Sequence, residues 1–121
     1  MKVKINTKEK FHVITFEESI LSANMTESVR QTLLPYLKNS IKNIIVNFEN
    51  VQQIDEGLAT ELFAIQNTFY KANCSMVLSN LSTEIENFLD EKKLLELMNT
   101  THTETEAWDI VQMEEIEREL F

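Results

Sequence analysis

The side chains able to do chemistry are few and scattered. His12 and His102 stand at opposite ends of the chain. Neither lies in an H-x-x-x-H or C-x-x-C spacing, so a metal site would have to be assembled from distant segments. Their types and places suit structural or solvent-exposed roles, His12 in a strand and His102 in a loop before a helix. Cys74 is the one cysteine, which excludes an internal disulfide and a Cys-rich zinc site. It precedes a strand-like run, where cysteine serves as a small apolar residue, and it would be a nucleophile only beside a base that lowered its pKa. Glu17 and Glu18 are adjacent in an extended segment and point to opposite faces, which makes them a poor proton-transfer pair. Asp55 and Glu56 stand before an amphipathic helix, where capping and the helix dipole already account for two carboxylates. Gly57 is the only glycine, and one glycine cannot build a G-x-G-x-x-G turn or a P-loop. No enzyme activity and no cofactor are expected.

One junction concentrates what remains: Ile54-Asp55-Glu56-Gly57-Leu58-Ala59-Thr60-Glu61-Leu62. A strand-like run, an acidic turn, the lone glycine and a strong helix meet there. Local physics alone reads it equally as a capped helix start or as a site.

The elements that must hold this junction follow from periodicity. Val3–Ile5 and Phe11–Phe16 flank the polar Thr7–Lys10 and predict a β-hairpin. Ile20-Leu21 adds a short third piece. Asn24 and Glu27 form a capping-box pattern before Val29, Leu33 and Leu37, a helix that Pro35 should kink or end. Ile44–Phe48 is an apolar run interrupted only by Asn47, the pattern of a central strand covered on both faces. Leu58, Leu62, Ile65, Phe69 and Ala72 mark the clearest amphipathic helix. Met76–Leu78 predicts another buried strand, ending at Ser79-Asn80, and a short helix runs through Ile85, Phe88 and Leu89. Thr103 and Glu106 form a second capping box, before a last helix whose Ala107, Ile110, Met113 and Leu120 can face a core. The expected fold is α/β, a single domain over residues 1–121. Its mixed sheet of four to five strands opens with the hairpin and is covered by about four helices.

The chain has 121 residues, 11 basic and 20 acidic, for a net charge of −9. Residues 1–80 balance at zero, and the whole excess lies after residue 80. Such a field repels phosphate backbones and anionic lipid, so nucleic acid and membrane surfaces are poor partners. The late acids read first as a solvated helix face, and second as a patch for a basic protein. No apolar run approaches the ~20 residues of a membrane span. Met1-Lys2-Val3-Lys4 is not followed by the apolar core of a secretion signal, so a cytoplasmic location is expected.

Residues 43–58, Asn43-Ile44-Ile45-Val46-Asn47-Phe48-Glu49-Asn50-Val51-Gln52-Gln53-Ile54-Asp55-Glu56-Gly57-Leu58, resemble the core signature of STAS domains, the anti-sigma factor antagonists. That signature is a hydrophobic strand, a D-L-S-x-V type stretch, then I-D-S-S-G-L opening a helix. The likeness extends to Met76–Asn80, to the helix from Ile85 to Leu95, and to Glu106–Val111 as the E-A-x-x-x-(I/V) start of the final helix. Leu21-Ser22-Ala23-Asn24 is similar to L-D-A-x-N, with Ser22 where an Asp is usual. The resemblance covers essentially the full chain.

It implies a partner-switching protein that binds an anti-sigma factor with serine kinase activity, until the Ser before the signature Gly is phosphorylated. It also implies a partner-binding loop at Asp55, Glu56, Gly57, Leu58 and Thr60, with Ser22, Asn24, Ser79 and Asn80 in neighbouring loops. This chain departs at the decisive place. Asp55-Glu56-Gly57-Leu58 is one residue shorter than D-S-S-G-L, and Glu56 stands just before Gly57. Phosphoserine carries about −1.5 to −2 charge and three acceptor oxygens, against −1 and two for a carboxylate. Glu56 therefore either fixes a released state or leaves binding constitutive, and the weaker field of a carboxylate favours the second. The competing expectation is a scaffold or sensory module of the same fold that holds a small ligand or builds a larger assembly.

Overall fold

The computed structural model describes residues 1–121. In chain order the strands are β1 (Val3–Thr7), β2 (Phe11–Phe16), β3 (Ile20–Leu21), β4 (Asn43–Asn47), β5 (Gln53–Ile54), β6 (Met76–Ser79) and β7 (Thr100–Thr101). The helices are α1 (Thr26–Leu33), α2 (Glu56–Lys71), α3 (Thr83–Glu91) and α4 (Glu104–Leu120). β1 and β2 form the expected antiparallel hairpin, with Val3 opposite Phe16 and Thr7 opposite His12. β4 then runs parallel to β2, β6 to β4 and β7 to β6, giving the order β1-β2-β4-β6-β7. β4 is thus central and buried along its whole length, its apolar Ile44, Ile45 and Val46 lying between the buried Asn43 and Asn47. β3 and β5 pair in parallel as a separate two-stranded piece.

Alternation along the strands sends side chains to two unequal cores. Ile14, Phe16, Ile44, Val46, Met76 and Leu78 join Val29, Leu33, Leu62, Phe69 and Ile85 in a cluster of 22 buried residues beneath α1, α2 and α3. Phe11, Val13, Ile45 and Val77 point the other way and meet Ala107 and Val111 of α4, a cluster of six buried residues with the partly buried Trp108 and Ile110 packed against it. His12 is buried; its Nε2 lies 3.1 Å from the Ile41 carbonyl and its Nδ1 2.8 Å from the Thr7 hydroxyl, a structural role. α1 stops at Leu33, and a 3-10 turn over Leu34–Lys38 carries Pro35 near its start, where a missing N–H does least harm.

Several expectations are corrected. Asn24 does not cap α1: a 3-10 turn over Ala23–Met25 leads into the helix, and the N-cap position, Met25, has no side-chain bond. Asn24 instead accepts from the Ser22 hydroxyl. On α4, Met113 and Leu120 do not face a core; they are 59 % and 71 % exposed, while Ile110 is half-buried.

The physical reason is that polar groups of β4, of the end of α2 and of the turn before β6 take the inward side of that helix. Glu104 accepts from Asn47 at 3.1 Å and from the Trp108 indole at 3.1 Å. Glu114 accepts from the Tyr70 hydroxyl at 2.8 Å and from Ser75 at 2.6 Å. Glu115 accepts from Asn43 at 2.8 Å and pairs with Arg118 at 3.1 Å. Part of the late acidity is therefore not a solvated face but the glue between α4 and the sheet. Thr103 does cap α4, accepting from the Glu106 N–H at 3.2 Å. The other half of the box differs: the Thr103 hydroxyl donates to the Glu106 carboxylate at 2.9 Å.

Both α2 and α3 end on a residue in the left-handed region, Asn73 at φ 59° and Lys93 at φ 60°. The following N–H turns back to the helix in each case, Cys74 to the Phe69 carbonyl and Leu94 to the Leu89 carbonyl, both at 2.9 Å.

Candidate functional site

The junction between β5 and α2 is built around one carboxylate. Asp55 is the N-cap of α2, in extended backbone, and its Oδ1 accepts from the Leu58 N–H at 2.9 Å. Its Oδ2 accepts from the Ala23 N–H at 2.8 Å. One side chain therefore satisfies a donor at each of two turns that are remote in sequence, and fastens the turn before α1 to the start of α2. The chains run close there. A Cβ on Gly57 would stand 2.8 Å from the Cβ of Ala23, so glycine is required for space. Arg30 of α1 and Glu61 of α2 add an ion pair at 2.6 Å, and this hydrogen bond and charge raise the Arg30 pKa above its ordinary value.

Beside the clamp lies a groove of about 310 Å³ lined by Ile20, Leu21, Ser22, Gln52, Gln53, Ile54, Asp55, Glu84, Ile85 and Phe88. Half of its lining is apolar and half polar, with Asp55 and Glu84 as its acids. Glu56 projects next to it with 66 % of its side chain exposed, 3.7 Å from Lys92 at the end of α3. Thr60 is exposed one turn further along α2.

The structure brings Ser22 and Asp55 together at the groove, with Asn24 and Glu56 exposed close by in sequence. Leu58 is a core residue with no exposure. Ser79 and Asn80 do not line the groove. Ser79 is fully buried, and its Oγ and the Asn80 Oδ1 have no hydrogen-bond partner; Asn80 turns the chain with φ 60°. Sequence reasoning missed Ala23, Lys92 and the groove walls Ile20 and Phe88. Only Lys92 carried a signal, as one of three bases after residue 80.

Burial pushes the Cys74 thiol up, away from the reactive thiolate. Tyr70 is pushed up to about 12, mainly by burial and further by the Glu114 carboxylate, against the opposing pull of Asn99. What the junction offers is a groove lined half by apolar and half by polar residues, with two helix starts fastened together by Asp55.

The STAS domain family matches residues 2–107, and the chain belongs to it. No curated protein matches the chain. Among solved structures, the fold is similar to a Thermotoga maritima protein provisionally described as an anti-sigma factor antagonist. The two are 14 % identical with a TM-score of 0.77, over 91 % of this chain and 94 % of that one. It is also similar to the Bacillus cell fate determinant SpoIIAA in its phosphorylated form, 20 % identical with a TM-score of 0.64, over 91 % and 99 %. A third likeness is to the murine anion transporter Slc26a9, 17 % identical with a TM-score of 0.69, over 86 % of this chain and 18 % of the transporter. Free-standing antagonists and a transporter segment share the fold, so the functional reading rests on the site. No helix of this chain is long and apolar enough to cross a membrane.

Proposed function

We propose that this chain is a non-enzymatic protein-interaction domain of the anti-sigma factor antagonist kind, cytoplasmic, whose partner is an anti-sigma factor related to serine kinases. It binds through the α2 start and the adjoining groove, with Ser22, Asp55 and Glu56 at the contact. The observation that carries this reading is the Asp55 clamp, which holds two loops and a half-apolar groove in a fixed arrangement at the junction matching the family signature.

Binding at this loop is not switched by phosphorylation. The signature D-S-S-G-L can be laid on the chain by its Gly, which puts Glu56 at the acceptor position, or by its Asp, which puts Gly57 there. Neither residue has a hydroxyl. The fixed single charge of Glu56 already has Lys92 beside it and supplies about half of a phosphoserine's field. The interaction is therefore constitutive at this loop.

Calorimetric titration against cognate anti-sigma kinases tests both parts. Binding is expected with the unmodified protein and is weakened at least about tenfold, or about 1.4 kcal/mol, by Glu56→Arg. Incubation with kinase and ATP is expected to leave residues 55–60 unlabelled. Unchanged binding by Glu56→Arg would sink the assignment of the surface, and phosphate on Thr60 or Ser22 would show an acceptor elsewhere in the same site. The groove itself favours the second reading, a small-ligand sensor. A molecule retained through purification and released on denaturation, seen by mass spectrometry, would establish it.

A further inference from the structure

The outward side of α4 presents a stripe that neither the sheet nor any loop covers. Met113, Ile116 and Leu120 recur at i, i+3 and i+7 and are 59 %, 56 % and 71 % exposed. Helical spacing places them on one ridge, opposite Ala107 and Val111, which are buried against the sheet. Asp109 continues the ridge towards the helix start, and Glu117 and Glu119 flank it, all three exposed. The one cation in this stretch, Arg118, is turned inward, donating to Ser75 at 2.8 Å and to Glu115 at 3.1 Å. The exposed ridge is thus apolar along its crest and acidic along its sides.

We propose that this face of α4 docks a basic amphipathic helix of another protein. A single convex helix ridge with this spacing fits the groove between side-chain rows of a second helix, which buries the three apolar residues. Lysine or arginine beside the partner's apolar stripe would meet Asp109, Glu117 and Glu119. A second copy of this chain is a poorer occupant, since it would bring the same acidic flanks together. The face lies on the opposite side of the sheet from α2, so the surface is independent of the α2 site and both can be filled at once.

The test uses the full chain and a fluorescein-labelled synthetic helix with Leu at i, i+3 and i+7 and Lys on both flanks. Fluorescence anisotropy should show saturable binding that weakens as salt is raised. Combined Met113→Ser, Ile116→Ser and Leu120→Ser should weaken it at least about tenfold with an unchanged melting temperature, and combined Asp109→Lys, Glu117→Lys and Glu119→Lys should do the same. Glu56→Arg should leave it unaltered. The proposal is overturned by absence of binding, by equal binding of the Ser variant, or by equal binding of a probe with Glu in place of Lys. It is also overturned by sedimentation showing a dimer that the Ser variant disperses.

Discussion

Gly57 has no positive φ, so its role is one of room. In an ordinary helix, replacing Gly by Ala gains roughly 1 kcal/mol. Here the added methyl would meet the Ala23 Cβ at 2.8 Å, an atom fixed to the backbone, and overpacking of this kind costs about 1–3 kcal/mol. Gly57→Ala is therefore expected to lower stability in urea unfolding, and Ala23→Gly in the same chain to restore most of the loss. A more stable Gly57→Ala protein would mean that the turn before α1 gives way freely. The Asp55 cap was legible in the sequence because capping is local. Its second bond was not, because Ala23 lies 32 residues away and donates only through its backbone.

At the scale of elements, the single glycine leaves α2 and α3 to end on Asn73 and Lys93 in the left-handed region. Asparagine tolerates that conformation and lysine does so less well. Lys93→Gly is expected to raise stability by about 0.5–1 kcal/mol in urea or thermal unfolding, and Lys93→Ala to give no gain. The strands and α2 were readable because their apolar residues recur with a clean period: Leu58, Leu62, Ile65 and Phe69 are all buried. α4 was only half readable. Its apolar residues fit a core-facing stripe, but Asn43, Asn47, Tyr70 and Ser75 sit on other elements and offer donors to Glu104, Glu114 and Glu115. No window of sequence contains that competition, and it rotates the helix so that Met113 and Leu120 face water. The start of α1 failed for a similar reason, since the acceptor that satisfies its turn is Asp55 rather than Asn24.

The molecule as a whole is a sheet with unequal covers, three helices over 22 buried residues on one face and one helix over six on the other. α4 packs on the sheet through Ala107, Val111, Trp108 and Ile110 and is tied further by the hydrogen bonds of its inward carboxylates, of which Glu114 accepts from Tyr70 of α2. The folded pKa of Tyr70, about 12, stands above the ordinary 10.0, so its contribution to stability is complete below pH ~10 and is lost as the pH rises through 12. A phenolate there would face the Glu114 carboxylate directly. Trp108 of α4, packed 5.5 Å from Phe11, reports the contact. Its fluorescence is expected to shift between pH ~10 and ~12 before the far-ultraviolet circular dichroism falls, and Tyr70→Phe to move that shift to higher pH; coincident transitions would contradict this. The fluorescence moving first would mark the smaller cover as a foldon of its own, with α4 swinging away like a hinged shutter while the Asp55 clamp and the groove stay closed behind the larger core.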